Sequence, residues 1–361
     1  MAREFGTDAS RVGLSLSAYF FGICLGQLAY GPILDRLGRR GPLLVGLGLF
    51  AASSLLCAFV SHLDGLIGLR FLQALGGCAG MVAGRTLVRD LFPDDAARIF
   101  SSLMLVMGIA PVIAPSLGGL LSDVLGWRSI FLFLAAISVV VLVFIAWKLP
   151  SSHRPDPSVS LHPLQVAKGY GEILRHPDFL AYGLGGSLVS AGLFAYIAGS
   201  PAVYIQVLGF TRQQFGWIFA INALGLVGAS QVNGLLLSRW SEARIVEATL
   251  VVQGIVAVVL AVSAWFGFTA GIVASTWLFL FCQGIVMPDL NALSMQPFRG
   301  NAGRASALVG SMGMAFGALL SGLVSVLPAG TAMPMATGVA VASLGGMAVL
   351  RLVAAVRPMP T

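Results

Sequence analysis

The sequence predicts an all-α polytopic membrane protein, and three observations carry that prediction. Only 10% of its 361 residues are charged while 57% are hydrophobic, and the mean hydropathy is +0.92; a soluble domain carries roughly 25% charged residues. Apolar runs of about 20 residues, the length that crosses a bilayer as a helix, recur along the whole chain. Basic residues collect in alternate loops. The runs are continuous, without the outward–inward alternation of a transmembrane β-barrel strand.

Eleven spans are predicted. Five lie near Leu14–Leu34, Leu43–Val60, Leu66–Val88, Ile99–Leu121 and Ser129–Leu149, and six near Phe179–Gly199, Phe215–Leu237, Val246–Phe266, Gly271–Leu293, Ala305–Leu327 and Met333–Leu350. The longest polar stretch, Pro150 to Asp178, divides them. This gives a first bundle over 1–149, a central linker over 150–178 and a second bundle over 179–361.

Lys and Arg near span ends stay preferentially on the cytoplasmic side. One set of alternate loops and span ends, from Arg36, Arg39 and Arg40 to Arg351 and Arg357, holds sixteen of the 21 basic residues; the other set holds Arg3, Arg11, Arg128 and Arg212, and Arg70 lies within a span. The expected orientation has a cytoplasmic C-terminus and an N-terminus, as written, outside. The net charge of +7 thus reflects membrane orientation, since nucleic-acid binding would gather basic residues on one face with aromatic stacking partners.

The stretch Gly31–Arg40, GPILDRLGRR, joins the first two spans. Asp35 stands at the C-terminal end of its helix, where the macrodipole disfavours an anion, so a cation from Arg36, Arg39, Arg40 or the next cluster, Arg85 and Arg89, is expected beside it. Such a network would latch the helices on that side, a cytoplasmic gate.

These residues match a family signature. Gly31, Asp35, Arg36, Gly38, Arg39 and Arg40 fit the G-x-x-x-D-R-x-G-R-R motif that follows the second helix of the major facilitator superfamily. Arg70-Phe-Leu-Gln73-Ala-Leu-Gly76 resembles the R-x-x-Q-G-x-G motif of its fourth helix. The run from Gly108 through Pro111 and Pro115 to Gly118 and Gly119 resembles the Gly/Pro motif of helix five in its drug:proton antiporters; Ala74 and Ala114 replace the usual glycines. With GQLAYGP, RFLQALGG, RTLVRDLF, SPAVYIQ and NAGRASAL, the chain resembles the Bcr/CflA group of bacterial drug-resistance exporters over nearly its whole length.

The resemblance implies a two-bundle fold of twelve helices. Eleven are expected here, with the family's first helix missing, and MAREFGTDASRVG resembles the outer loop after it, so the start is expected to be truncated or misassigned. Gly234-Leu-Leu-Leu-Ser238-Arg239 echoes Gly31-Pro-Ile-Leu-Asp35-Arg36 in the other half, as a parallel repeat would.

Polar groups at membrane depth are costly and mark function. Arg70 is expected to face inward for proton coupling, paired in the family with a carboxylate on the missing helix. Asp289, in IVMPDLNALSMQ, is the acid placed well inside a span, and a carboxylate among apolar neighbours is suited to load and release a proton. Gln73, Tyr196, Asn222 and Gln283, with Gln27, Tyr204, Gln231 and Asn233, are candidates for a largely apolar substrate cavity; each alone is more often an interhelical hydrogen bond. Pro111 and Pro115 remove backbone hydrogen bonds and bend a helix, while Gly108, Gly118 and Gly119 allow close packing.

Cys24, Cys57, Cys78 and Cys282 have no ligand or redox spacing, and no HExxH or phosphate-binding loop occurs. No metal and no cofactor are expected, the proton gradient serving as energy source. The expected function is proton-coupled efflux of small hydrophobic drugs by a monomer in the bacterial inner membrane, with protons and lipid as its other partners and no nucleic acid. The alternatives are a carrier of a small metabolite such as an amino acid or purine and, behind it, an intramembrane enzyme.

Overall fold

The computed structural model describes residues 4–91, 114, 117–149, 162–298, 302–328 and 330–356. In chain order its helices are α1 (Ala9–Leu37), α2 (Arg40–Phe59), α3 (Leu63–Leu91), α4 (117–125), α5 (Arg128–Lys148), α6 (Pro163–Leu174), α7 (Phe179–Val207), α8 (Arg212–Leu236), α9 (Glu242–Trp265), α10 (Thr269–Met295), α11 (Ala302–Val326) and α12 (Met333–Val356). Among the described residues ten helices are long and apolar enough to cross a membrane. They occupy ten of the eleven predicted segments; the fourth, Ile99–Leu121, falls mostly outside the described residues.

Side-chain exposure says what solvent these helices meet. Val140, Phe144 and Trp147 stand fully outward on α5, the most apolar span, with a mean hydropathy of 3.0. A helix apolar on its outer face belongs in lipid, because a soluble surface avoids contiguous apolar patches of that size.

The chain divides into two compact units, one of Met1–Asp8 with Ser15–Gly169, the other of Ala9–Leu14 with Tyr170–Thr361. In the first, α2 packs on both α3 and α5. The α2–α3 contact is a backbone approach: a Cβ on Gly76 would lie 2.6 Å from the carbonyl oxygen of Gly46 and 2.6 Å from the amide nitrogen of Phe50. Small residues permit such contacts between membrane helices.

Antiparallel α2 and α5 are pinned at both ends by arginine. Arg40, the first residue of α2, donates to the Ala146 carbonyl in the last turn of α5 at 2.6 Å. Arg128, the first residue of α5, donates to the Ala58 and Val60 carbonyls at the end of α2, at 2.8 and 3.0 Å. The last carbonyls of a helix lack intrahelical partners and sit at its negative pole, so each cation satisfies orphan acceptors of its neighbour. Arg128 also pairs with Glu4 and lies 4.7 Å from the Trp127 ring centre, while Trp127 Nε1 donates to Glu4 at 2.6 Å. The hydrogen bonds from Arg128 and Trp127 hold the Glu4 carboxyl below its ordinary value. A depressed value contributes stability above the unfolded-state pKa and loses it as pH falls through the folded one. Thermal unfolding in detergent is therefore expected to become less acid-sensitive in Glu4→Gln, by a small margin because Glu4 is exposed; an unchanged acid limb contradicts the pairing.

In the second unit α7 packs against α10, α11 and α12, and α10 also against α8 and α9. Two wide helical turns, Phe179–Leu184 and Ala202–Val207, bracket the regular part of α7. The second follows Pro201, which has no N–H to give to the ladder. Helix α8 starts on a capping box: Gln214 N donates to Thr211 Oγ1 at 3.2 Å, and Thr211 N donates to Gln214 Oε1 at 2.9 Å, satisfying two orphan donors. Within the polar stretch read as a linker, α6 is a helix of 12 residues, too short to span. Val166, Tyr170 and Ile173 recur on one face at i, i+4 and i+7, with Tyr170 and Ile173 buried.

Candidate functional site

Arg70 stands two turns into α3, inside the first unit. Its Nη1 donates to Gln73 Oε1 at 2.5 Å, one turn on, where i and i+3 side chains meet. Gln73 Nε2 donates to Ser54 Oγ on α2 at 2.6 Å, and Ser54 Oγ donates to the Phe50 carbonyl at 2.6 Å. Gln73 and Ser54 are fully buried, so the links from the cation to the α2 backbone lie inside the helix packing. The guanidinium lies 4.1 Å from the Tyr19 ring centre and 5.8 Å from that of Phe131, distances at which an aromatic face attracts a cation. Among the described residues these partners come from α1, α2, α3 and α5, and none is a carboxylate. The carboxylate that the resemblance implies belongs to the family's first helix; among the described residues the cation is held by an amide and two rings.

All but one of the candidates of the second unit join helices. Asn222 Nδ2 on α8 donates to Tyr196 Oη on α7 at 2.8 Å, and the Tyr196 ring stacks on Phe219 at 5.8 Å. Tyr204 Oη and Thr276 Oγ1 share a hydrogen bond of 2.6 Å between α7 and α10. Gln253 Nε2 on α9 donates to Gln283 Oε1 on α10 at 2.8 Å, and Gln283 Nε2 donates onward to the Val189 carbonyl on α7 at 3.0 Å. Asn233 Nδ2 on α8 donates to Asp289 Oδ1 on α10 at 2.8 Å. Tyr196, Asn222, Asn233, Gln283 and Asp289 are each about 2% exposed or less, and each makes at least one hydrogen bond to a neighbouring helix. Gln231 is exposed instead.

Sequence reasoning named most of these residues without their partners. Ser54, Tyr19, Thr276 and Gln253 were missed, being common types with no motif around them. Their one available signal was a polar atom midway along an apolar run. A cavity of about 190 Å³ opens in the second unit among Tyr182, Val246, Glu247, Leu250, Met347 and Arg351; the predicted substrate residues do not line it.

Of the predicted gate, Arg40 bonds to α5, Arg39 is buried and Arg36 half-buried. The side chains of Asp35, Arg85 and Arg89 lie outside the described residues. So do Gly108, Pro111 and Pro115 of the predicted helix bend, whereas Gly118 and Gly119 are helical in α4. All four cysteines are buried and free.

Residues 1–322 match the model of the Major Facilitator Superfamily. The MFS-type transporter YdgK of Bacillus subtilis is 34% identical over 93% of this chain and 84% of its own length. Multidrug resistance protein D of Escherichia coli is 31% identical over 91% of this chain and 82% of its own. A bicyclomycin resistance protein homolog of Haemophilus influenzae is 25% identical over 93% and 85%. Among solved structures, the nucleoside transporter NupG superposes with a TM-score of 0.72 over 97% of this chain and 93% of that one, at 14% identity. The human organic anion transporter MFSD10 gives 0.65 over 94% and 83%, at 20% identity; both likenesses speak for the fold alone. A family match over most of the length, joined to ten apolar helices among the described residues, makes this chain a multi-pass membrane transporter of the major facilitator superfamily, similar to its Bcr/CflA group, and not an enzyme.

Proposed function

We propose that the chain exports small hydrophobic or amphipathic drugs across the bacterial inner membrane by alternating access, in exchange for protons. The observation that carries this reading is the naming of relatives that align over nearly the whole chain as multidrug and bicyclomycin resistance proteins. Interior chemistry supports it. Apart from Arg39 and Asp289, the buried polar side chains are hydroxyls and amides set among Phe, Leu and Met, an environment poor in the partners that the many polar groups of a sugar or a phosphate need on burial. Proton entry down a membrane potential supplies about 2.3 kcal/mol per charge for each 100 mV, so no nucleotide site is required. The arginine distribution favours a cytoplasmic C-terminus, Arg70 with Gln73 and Asp289 are the residues proposed to couple protons, and a monomer suffices.

Everted vesicles from cells making the protein are expected to accumulate a radiolabelled chloramphenicol-like drug above vesicles without it. They are expected not to accumulate a radiolabelled nucleoside or amino acid. Accumulation of the metabolite in place of the drug would transfer the assignment to a metabolite carrier.

A further inference from the structure

The second unit holds a buried acid with half of its hydrogen bonding unused. Asp289 and Asn233 are each 2% exposed, and the bond from Asn233 Nδ2 to Asp289 Oδ1 is 2.8 Å long. The remaining oxygen of each group, Asp289 Oδ2 and Asn233 Oδ1, has no hydrogen-bond partner. Both are acceptors when the acid is ionised, and an ionised carboxylate has no donor to offer. Among the described residues no basic side chain pairs with Asp289. Glu242, at the start of α9, is the charged group that acts on it from a neighbouring helix; its own carboxylate accepts from Gln296 Nε2 at 3.3 Å. Of the other titratable groups near this end of α7, α9 and α12, Tyr182, Glu247 and Arg351 line the separate cavity described above, and Arg244 stands exposed in the first turn of α9.

The geometry points to a proton-binding pair: Asp289 takes a proton on Oδ2 and donates it to Asn233 Oδ1, while Asn233 Nδ2 donates to Asp289 Oδ1. A neutral carboxyl and a carboxamide are flat groups of the same size, each with one donor and one acceptor edge. Two antiparallel hydrogen bonds then close a ring and satisfy both orphan oxygens together. The O–H bond is the one bond made on loading and broken on release, and the proton comes from and returns to water. The pair joins α8 to α10, so loading adds a second bond between these helices. Release removes that bond and leaves Asp289 Oδ2 and Asn233 Oδ1 as two acceptors without a donor. Proton occupancy is thereby linked to how firmly α8 and α10 hold together. Its role as the coupling site rests on the proposed antiport; the binding of the proton does not.

The test is infrared difference spectroscopy of the purified, lipid-reconstituted protein between acid and alkaline buffer, in light and heavy water. Wild type is expected to show the carbonyl stretch of a hydrogen-bonded, protonated carboxyl. Asp289→Asn keeps the shape and both hydrogen bonds, remains folded, and is expected to lose that band; Asn233→Leu is expected to shift it to the frequency of a free carboxyl. A difference spectrum unchanged in Asp289→Asn overturns the site, and a band unmoved in Asn233→Leu overturns the pair. Drug-induced proton release from the same proteoliposomes is read separately. Its absence from wild type with the band intact sinks the antiport and leaves the site standing, whereas full release from Asp289→Asn removes the site from coupling.

Discussion

Gly76→Leu is expected to leave little folded protein, while Gly80→Leu on the same helix behaves close to wild type. A side chain at position 76 meets the main chain of α2 on two atoms, Gly46 O and Phe50 N, each 2.6 Å from the Cβ. Backbone in a helix cannot yield as a flexible side-chain tip can, so α2 and α3 must separate. Overpacking of a filled interface costs about 1–3 kcal/mol and occasionally more, a large share of a domain's stability of about 5–15 kcal/mol. Separation also disturbs the Gln73–Ser54 bond that crosses the same interface. At Gly80 nothing among the described residues lies within 4 Å of the Cβ position, which makes it a control for the change in helix propensity. Monodisperse yield and thermal midpoint in detergent read the effect; equal values for the two variants would contradict the close approach.

Arg70→Ala is expected to lose both stability and transport, with Arg70→Lys falling between it and wild type. Removing the guanidinium leaves Gln73 Oε1 buried without its donor, at about 1–3 kcal/mol, and discards the cation held over Tyr19 and Phe131. Lysine keeps the charge but not the planar fork that bonds to the amide and stacks on the rings together. A Gln73→Leu variant should soften the loss in Arg70→Ala, since an apolar group at that position asks for no donor. If Arg70→Ala unfolds at the wild-type temperature and exports at the wild-type rate, the arginine snorkels to the surface and has no interior role.

The spans were legible in the sequence because hydropathy is a local property: α5 or α9 declares itself within 20 residues. The interior placement of Gln73, Asn222, Gln283 and Asp289 was legible for a related reason, as a polar side chain in the middle of an apolar run has lipid or helix around it. What each touches was not. Asn233 and Asp289 lie 56 positions apart, and Arg40 and Ala146 lie 106 apart, so these pairs leave no short-range trace. Arg128 reads in the sequence as a loop charge and Arg40 as a loop charge and a member of the gate, although each opens an apolar run of one span length and can reach the C-terminal carbonyls of an antiparallel neighbour. Helix α6 was hidden inside a polar stretch, since only Val166, Tyr170 and Ile173 mark its face. The wide turn after Pro201 had a visible cause but no predictable form.

The account turns most on coupling between drug and proton. Purified protein in proteoliposomes, given an inside-acid pH gradient and an external radiolabelled chloramphenicol-like drug, measures it directly. The account predicts accumulation that collapses when a protonophore dissipates the gradient; accumulation that is the same with and without the gradient would contradict it.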